Sequence, residues 1–200
     1  MTTQHNRGYS SYGRSKSRFG AFVFGFLLAL ALLFAAAWGW LRYGHPPVAV
    51  ADKPFPMEAR IVQIPLGARI AREMQQPPFG TSEDVFEAAA TMYRTSCATC
   101  HGTPGKDSPY GRWMYPGAPQ LWKKHAKGNV VGVSDDPAGV TFWKIRNGIR
   151  LTGMPSFEHI YSDTQMWQLA LLLKNADQPL PDPVAALLTA PSGAPAKPGQ

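Results

Sequence analysis

Cys97-Ala98-Thr99-Cys100-His101 brings two thiols and an imidazole into one short stretch. Cysteines three apart, on a single turn of helix, can each form a thioether to one vinyl group of a haem. The histidine that follows directly then reaches the iron from one face of the macrocycle. Gly102 comes next, and a residue without Cβ lets the chain turn closely around the haem edge. Two other chemistries use the same residue types. A dithiol redox pair opens a helix, where the helix N-terminus lowers the thiol pKa; here a helical pattern runs into Cys97 from upstream. A structural zinc site needs a second pair of ligands, and Cys97 and Cys100 are the only cysteines in the chain. The stretch therefore reads as the covalent attachment site of one haem c.

A second ligand to the iron has a candidate downstream. Gly153-Met154-Pro155-Ser156-Phe157 is punctuated by Gly and Pro and reads as a loop. A methionine held there offers its thioether opposite His101. A soft sulfur ligand favours Fe(II) and raises the reduction potential. The plain alternative for Met154 is an ordinary core methionine, as most methionines are, and its rivals as a ligand are Met57, Met74, Met92, Met114 and Met166. Met92 and Met166 fall in amphipathic helices. Met114, in an aromatic loop, is the most serious competitor, and His159 is close enough in sequence to be a conceivable ligand. With His101 and Met154 on both axial positions, no open position is left for a substrate, so the reading is an electron-transfer protein rather than an enzyme.

These groups need helices to position them. Ser82 is the expected N-cap of a helix with Glu83 and Asp84 in its first turn, where the dipole favours acids. Phe86, Ala89 or Ala90, and Tyr93 then share a face that leads to Cys97. Residues 102–133 carry Gly, Pro and aromatics without a period and read as a long functional loop. Asp136-Pro137 reads as an N-cap followed by proline at the first helical position. The short helix it opens contains Val140, Phe142, Trp143 and Ile145 and ends at Asn147-Gly148. Ser162-Asp163-Thr164-Gln165 is a capping box ahead of a strongly apolar helix with Met166, Leu169, Ala170, Leu172 and Leu173.

The flanking segments have their own signals. Five bases and no acid lie in the first 42 residues, so the net charge of +7 divides into +5 there and +2 in the rest. The charge is a topology signal rather than a nucleic-acid signal. Residues 1–18 read as a basic, disordered cytoplasmic leader. From Phe19 to Trp40 the chain is apolar and uncharged, long enough to span a hydrocarbon core of about 30 Å, with Trp38, Trp40 and Tyr43 at the interface and the basic cluster holding the N-terminus inside. Residues 19–41 are therefore expected to be a transmembrane helix. The alternative is a signal peptide cleaved at Ala35-Ala36-Ala37, although the apolar stretch exceeds the usual h-region. Residues 42–80 read as a Pro-rich linker, with a short helix from about Leu66 to Gln76, that spaces the domain from the membrane or docks on a partner. A globular domain is expected over residues 81–177, and a disordered Pro/Ala-rich tail over 178–200.

Taken together, residues 82–177 resemble the class I c-type cytochromes, and more closely the small bacterial monohaem domains found with terminal oxidases and periplasmic dehydrogenases. The resemblance rests on Tyr93 ahead of Cys97, the haem motif with Gly102, Pro119-Gln120-Leu121, Ile145-Arg146-Asn147-Gly148, Gly153-Met154-Pro155 and the capped last helix. It implies an all-α cytochrome c fold around one haem, with first and last helices crossing near Tyr93 and Trp167. It also implies that the Pro119 carbonyl accepts a hydrogen bond from His101 and so tunes the iron. Two departures stand out. Ala89 occupies a position where the family often has glycine at the helix crossing. The segment 103–118 contains Tyr110, Trp113, Met114 and Tyr115 in place of a glycine-rich pattern; these aromatics either pack on the haem edge or form a docking patch. Lys123, Lys124, His125 and Lys127 are either a solvated run or a steering patch for an acidic redox partner. The expected protein is a one-electron carrier in the bacterial inner membrane, its haem domain in the periplasm and its partners other redox proteins. The alternatives are a subunit of an oxidase or dehydrogenase complex, or a haem-based redox or gas sensor.

Overall fold

The computed structural model of the chain describes residues 15–126 and 128–190. Among them there are helices and no strands. The basic leader falls mostly on residues 1–14, outside the described residues, as do Lys127 and the last ten residues. The chain divides into two compact units, Met1–Lys53 and Pro54–Gln200.

In the first unit a single helix, α1, runs Ser15–Tyr43. Its stretch Arg18–Tyr43 has a mean hydropathy of 2.5 and is long and apolar enough to cross a membrane. The helix extends a few residues beyond 19–41 at both ends. Its Phe, Leu and Trp side chains face outward: Phe19, Phe22, Phe34 and Trp38 are each about 70% exposed.

The second unit starts with α2, Glu58–Glu73. This corrects the reading of 42–80 as a linker with a short helix near Leu66. Ile70 is buried, Trp143 Nε1–H donates to Glu73 Oε2 at 2.8 Å, and the Arg69 guanidinium lies 5.6 Å from the Trp143 ring centroid. These contacts dock α2 on α5, Ala138–Asn147. Pro65 sits inside α2, where a proline removes one backbone hydrogen bond, and docking offsets that loss.

The core is built by α3 (Glu83–Ser96), α5 and α6 (Asp163–Lys174), with α7 (Asp182–Thr189) closing it against α3. Ser82 caps α3, its hydroxyl accepting from Val85 N–H at 3.3 Å. The capping box of α6 is formed in both directions between Ser162 and Gln165. Each such cap satisfies helix-end donors and contributes about 1 kcal/mol. Pro137 rather than Asp136 is the N-cap of α5, and the Asp136 carboxylate instead pairs with Lys144 Nζ at 3.2 Å. Ala89, Ala90 and Tyr93 are fully buried in α3 where it meets α6. Trp167 stacks on Phe142 with centroids 4.0 Å apart, so it joins α6 to α5, while Tyr93 meets Trp122 edge-on at 5.4 Å.

The C-terminal region also differs from its expectation. Residues 182–189 are helical rather than a disordered tail. Val184 and Leu188 are fully buried, and the Arg94 guanidinium of α3 donates to the Leu187 carbonyl at 3.0 Å. Val184, Leu187 and Leu188 follow the i, i+3, i+4 spacing of one helix face. α6 is therefore not the last helix of the domain.

Candidate haem site

The Cys97–His101 stretch is a turn added to the end of α3. Cys97 caps α3 and opens a short helix, α4, Ala98–His101. His101 N–H donates to the Cys97 carbonyl at 2.9 Å, and Gly102 N–H to Ala98 at 2.9 Å. Gly102 has φ +73°, and a Cβ there would press on the Lys106 carbonyl; this is the close turn that glycine permits. The Tyr93 hydroxyl donates to the Gly102 carbonyl at 2.8 Å, tying the end of the turn back to the core. Ser108 secures the following loop: its hydroxyl donates to the Thr99 carbonyl at 2.5 Å and accepts from the N–H groups of Tyr110 and Gly111. Gln120 clamps the two ends of the Thr103–Lys106 turn, donating to the Thr103 and Lys106 carbonyls.

His101 Nδ1 lies 2.7 Å from the Pro119 carbonyl oxygen. A carbonyl only accepts, so Nδ1 carries the proton. Burial holds the imidazole pKa below its ordinary value, with the Pro119 contact opposing part of that shift. The ring is then neutral and its Nε2 lone pair is free, the state that binds a metal. Burial, and next to it Cys100, push the Cys97 thiol up to about 12. A dithiol redox pair works by the opposite shift, and this one sits at the C-terminal end of α3. No group of three or more His, Cys, Asp or Glu able to hold a metal ion occurs among the described residues.

The loop after α5 is fastened in several places. Gly148, at φ +67°, ends the helix where a Cβ would meet the Pro155-Ser156 backbone. Phe157 N–H donates to the Ile145 carbonyl at 3.1 Å, and the Ser156 hydroxyl to the Arg146 carbonyl at 2.6 Å. Arg146 pairs with Glu158 at 2.9 Å. Ile149 N–H donates to the Met154 carbonyl at 3.2 Å. The Thr152 hydroxyl donates to Ile149 at 2.7 Å and accepts from Met154 N–H at 3.1 Å.

Cys97, Cys100, His101, Pro119 and Met154 all line one cavity of about 210 Å³. Its walls include Leu121, Val133, Ile145, Ile149, Phe157 and Leu173. Two thiols, a neutral imidazole and a thioether on apolar walls suit an attached metalloporphyrin: the ring needs apolar surroundings and the iron accepts N and S donors. Met114 also lines the cavity. Met92 and Met166 are buried in the core, Met57 and Met74 are exposed, and His159 is exposed away from the cavity. Tyr110 and Trp113 are more than 60% exposed and, with Tyr115, do not line it; the Arg112 guanidinium lies over the Trp113 ring instead. Lys123 pairs with Asp107 at 3.4 Å on the surface. Thr152, Ile149 and Lys144 at the cavity were not singled out in the sequence; the signal available was the position of Thr152 two residues before Met154.

A family model described as cytochrome C oxidase, cbb3-type, subunit III, matches residues 84–173. No curated protein and no solved structure matches the chain.

Proposed function

Starting from residues 84–173 as a c-type cytochrome domain, we propose that this protein is a membrane-anchored monohaem electron carrier. The observation that carries the proposal is the convergence of Cys97, Cys100, His101 and Met154 on one apolar cavity. Cys97 and Cys100 would hold a single haem c as thioethers. His101 and Met154 would supply nitrogen and sulfur to its iron, and Pro119 orients the His101 ring through Nδ1. The haem supplies a reversible one-electron change at iron. The chain's own part is to keep that change small in structural terms. The Ile149–Thr152–Met154 hydrogen bonds and the Phe157–Ile145 bond fix the loop that carries the thioether. The apolar walls would keep water from the bound group, and a thioether donor would favour its reduced state.

In this reading α1 spans the inner membrane, with the basic leader inside and the haem domain in the periplasm. Electron donor and acceptor are other redox proteins, and nucleic acid is not a partner. A second reading, an electron-transfer subunit of an oxidase complex, is favoured by the description of the matching family model.

Acid–acetone extraction tests attachment. Haem should stay with the chain, and Cys97→Ala/Cys100→Ala should release it; haem freed from the unaltered protein overturns the proposal. Solubilisation from native membrane separates the two readings: a stoichiometric oxidase partner marks a subunit, and a haem protein recovered alone marks a free carrier.

A further inference from the structure

Met114 and the loop around Met154 meet in a way that neither segment announces. The Met114 methyl occupies the space that a Cβ on Gly153 would fill, and the Met114 sulfur stands 3.7 Å from that point. Gly153 itself has no positive φ, so its missing side chain serves this contact and not a backbone turn. The other end of Met114 is rooted in the attachment region. Met114 follows the 3-10 turn Gly111–Trp113, and its N–H donates to the Gly111 carbonyl. That turn is hydrogen-bonded through Ser108 to Thr99, between the two cysteines. A Cβ on Gly111 would collide with the Cys100 carbonyl, so the turn sits directly against the attachment stretch.

We propose that Met114 is a positioning residue: its methyl braces Gly153 and thereby holds the Met154 thioether at the cavity. The inference rests on the reading that Met154 is an axial ligand. Thr152 fixes Met154 from within its own loop, whereas Met114 fixes it from the segment attached to the cysteines. The two ligand-bearing parts of the site, distant in sequence, are thus coupled by one flexible side chain. Methionine suits this role, since an unbranched thioether reaches into a narrow gap and conforms to it.

The test uses the full-length haem-loaded protein in detergent. Imidazole is titrated against the ferric form while the far-red sulfur-to-iron band is followed. Amide hydrogen exchange is measured in parallel. Met114→Ala deletes the brace. Gly153→Ala evicts the methyl with no strained φ of its own. Met114→Leu keeps an apolar side chain of most of the reach and removes the sulfur. Without imidazole, all three should retain the band. Met114→Ala and Gly153→Ala should lower the half-saturating imidazole about tenfold, the equivalent of about 1.4 kcal/mol, and Met114→Leu by less. Exchange over residues 149–155 should quicken in the first two variants while α3 and α6 keep their protection.

An unchanged titration in Met114→Ala overturns the brace. So does faster exchange spread evenly through α3, α6 and the loop, which marks ordinary packing. Loss of the band in both Met114 variants, with retention in Met154→Ala, puts the Met114 sulfur on the iron and overturns the ligand assignment as well. Absence of the band from the unaltered protein overturns the ligand assignment alone, and the exchange of 149–155 still decides whether Met114 holds the loop.

Discussion

Ile70→Ala removes the buried anchor of α2, a helix within the stretch read from sequence as a linker. Ile70 is 5% exposed, and it is the residue of α2 that is buried against the rest of the unit. A buried Ile→Ala change costs 2–5 kcal/mol, depending on how far the site collapses. α2 packs on α5 from one side and can settle inward, so a cost near the low end, about 3 kcal/mol, is expected. For a unit of this size that lowers Tm by about 10 °C. Ile64→Ala is the control: Ile64 is 71% exposed, and its loss should shift Tm by no more than about 2 °C, as surface changes do. The assay is thermal unfolding followed by far-ultraviolet circular dichroism, with the visible spectrum recorded alongside. No α2 residue lines the cavity, so the spectrum and potential at 25 °C should not move. A Tm unchanged by Ile70→Ala would refute the docking of α2. Equal losses from Ile64 and Ile70 would show that the face exposed here packs as firmly as the Ile70 face.

Three further outcomes are expected. Leu188→Ala, at a fully buried position of α7, should cost about 3 kcal/mol, read as a lower midpoint in chemical denaturation; a neutral result would return the segment to a dispensable tail. Ser162→Ala should cost about 1 kcal/mol by opening the capping box, with Gln165→Ala adding little on top because the two bonds act together. Hydrogen bonds from Trp143 and then Arg69 hold the Glu73 carboxyl below its ordinary 4.5. A depressed folded pKa gives stability that is present above the unfolded value and lost as pH falls through the folded one. Stability should therefore drop as pH falls below about 4.5, and Glu73→Gln should flatten that part of the pH profile; an unchanged profile would remove Glu73 from the docking contact.

The parts of this fold that were legible carried local signals. Ser82, the Ser162–Gln165 box and the apolar face of α6 depend on residues three or four apart, and the structure forms them as read. The helical turn that brings Cys97, Cys100 and His101 together was legible for the same reason. α2 and α7 were hidden by composition. Pro65 interrupts the first, and proline and alanine surround the second, so the Val184, Leu187 and Leu188 spacing was obscured by the segment's overall bias. What was not legible was contact between distant segments. Nothing near Met114 points to Gly153, and nothing near Trp143 points to Glu73. Long-range packing chose those partners, and a single sequence carries no period that marks them.

The proposed ligation of the iron by the Met154 sulfur has a direct spectroscopic test. Ferric protein is scanned in the far red, and the ferrous form is then exposed to carbon monoxide, for the unaltered chain and for Met154→Ala. The unaltered protein should show a weak sulfur-to-iron band and no carbon monoxide adduct. Met154→Ala should lose the band, have a lower reduction potential and form a carbon monoxide adduct. Ready carbon monoxide binding by the unaltered protein, or a band that survives Met154→Ala, would contradict that ligation.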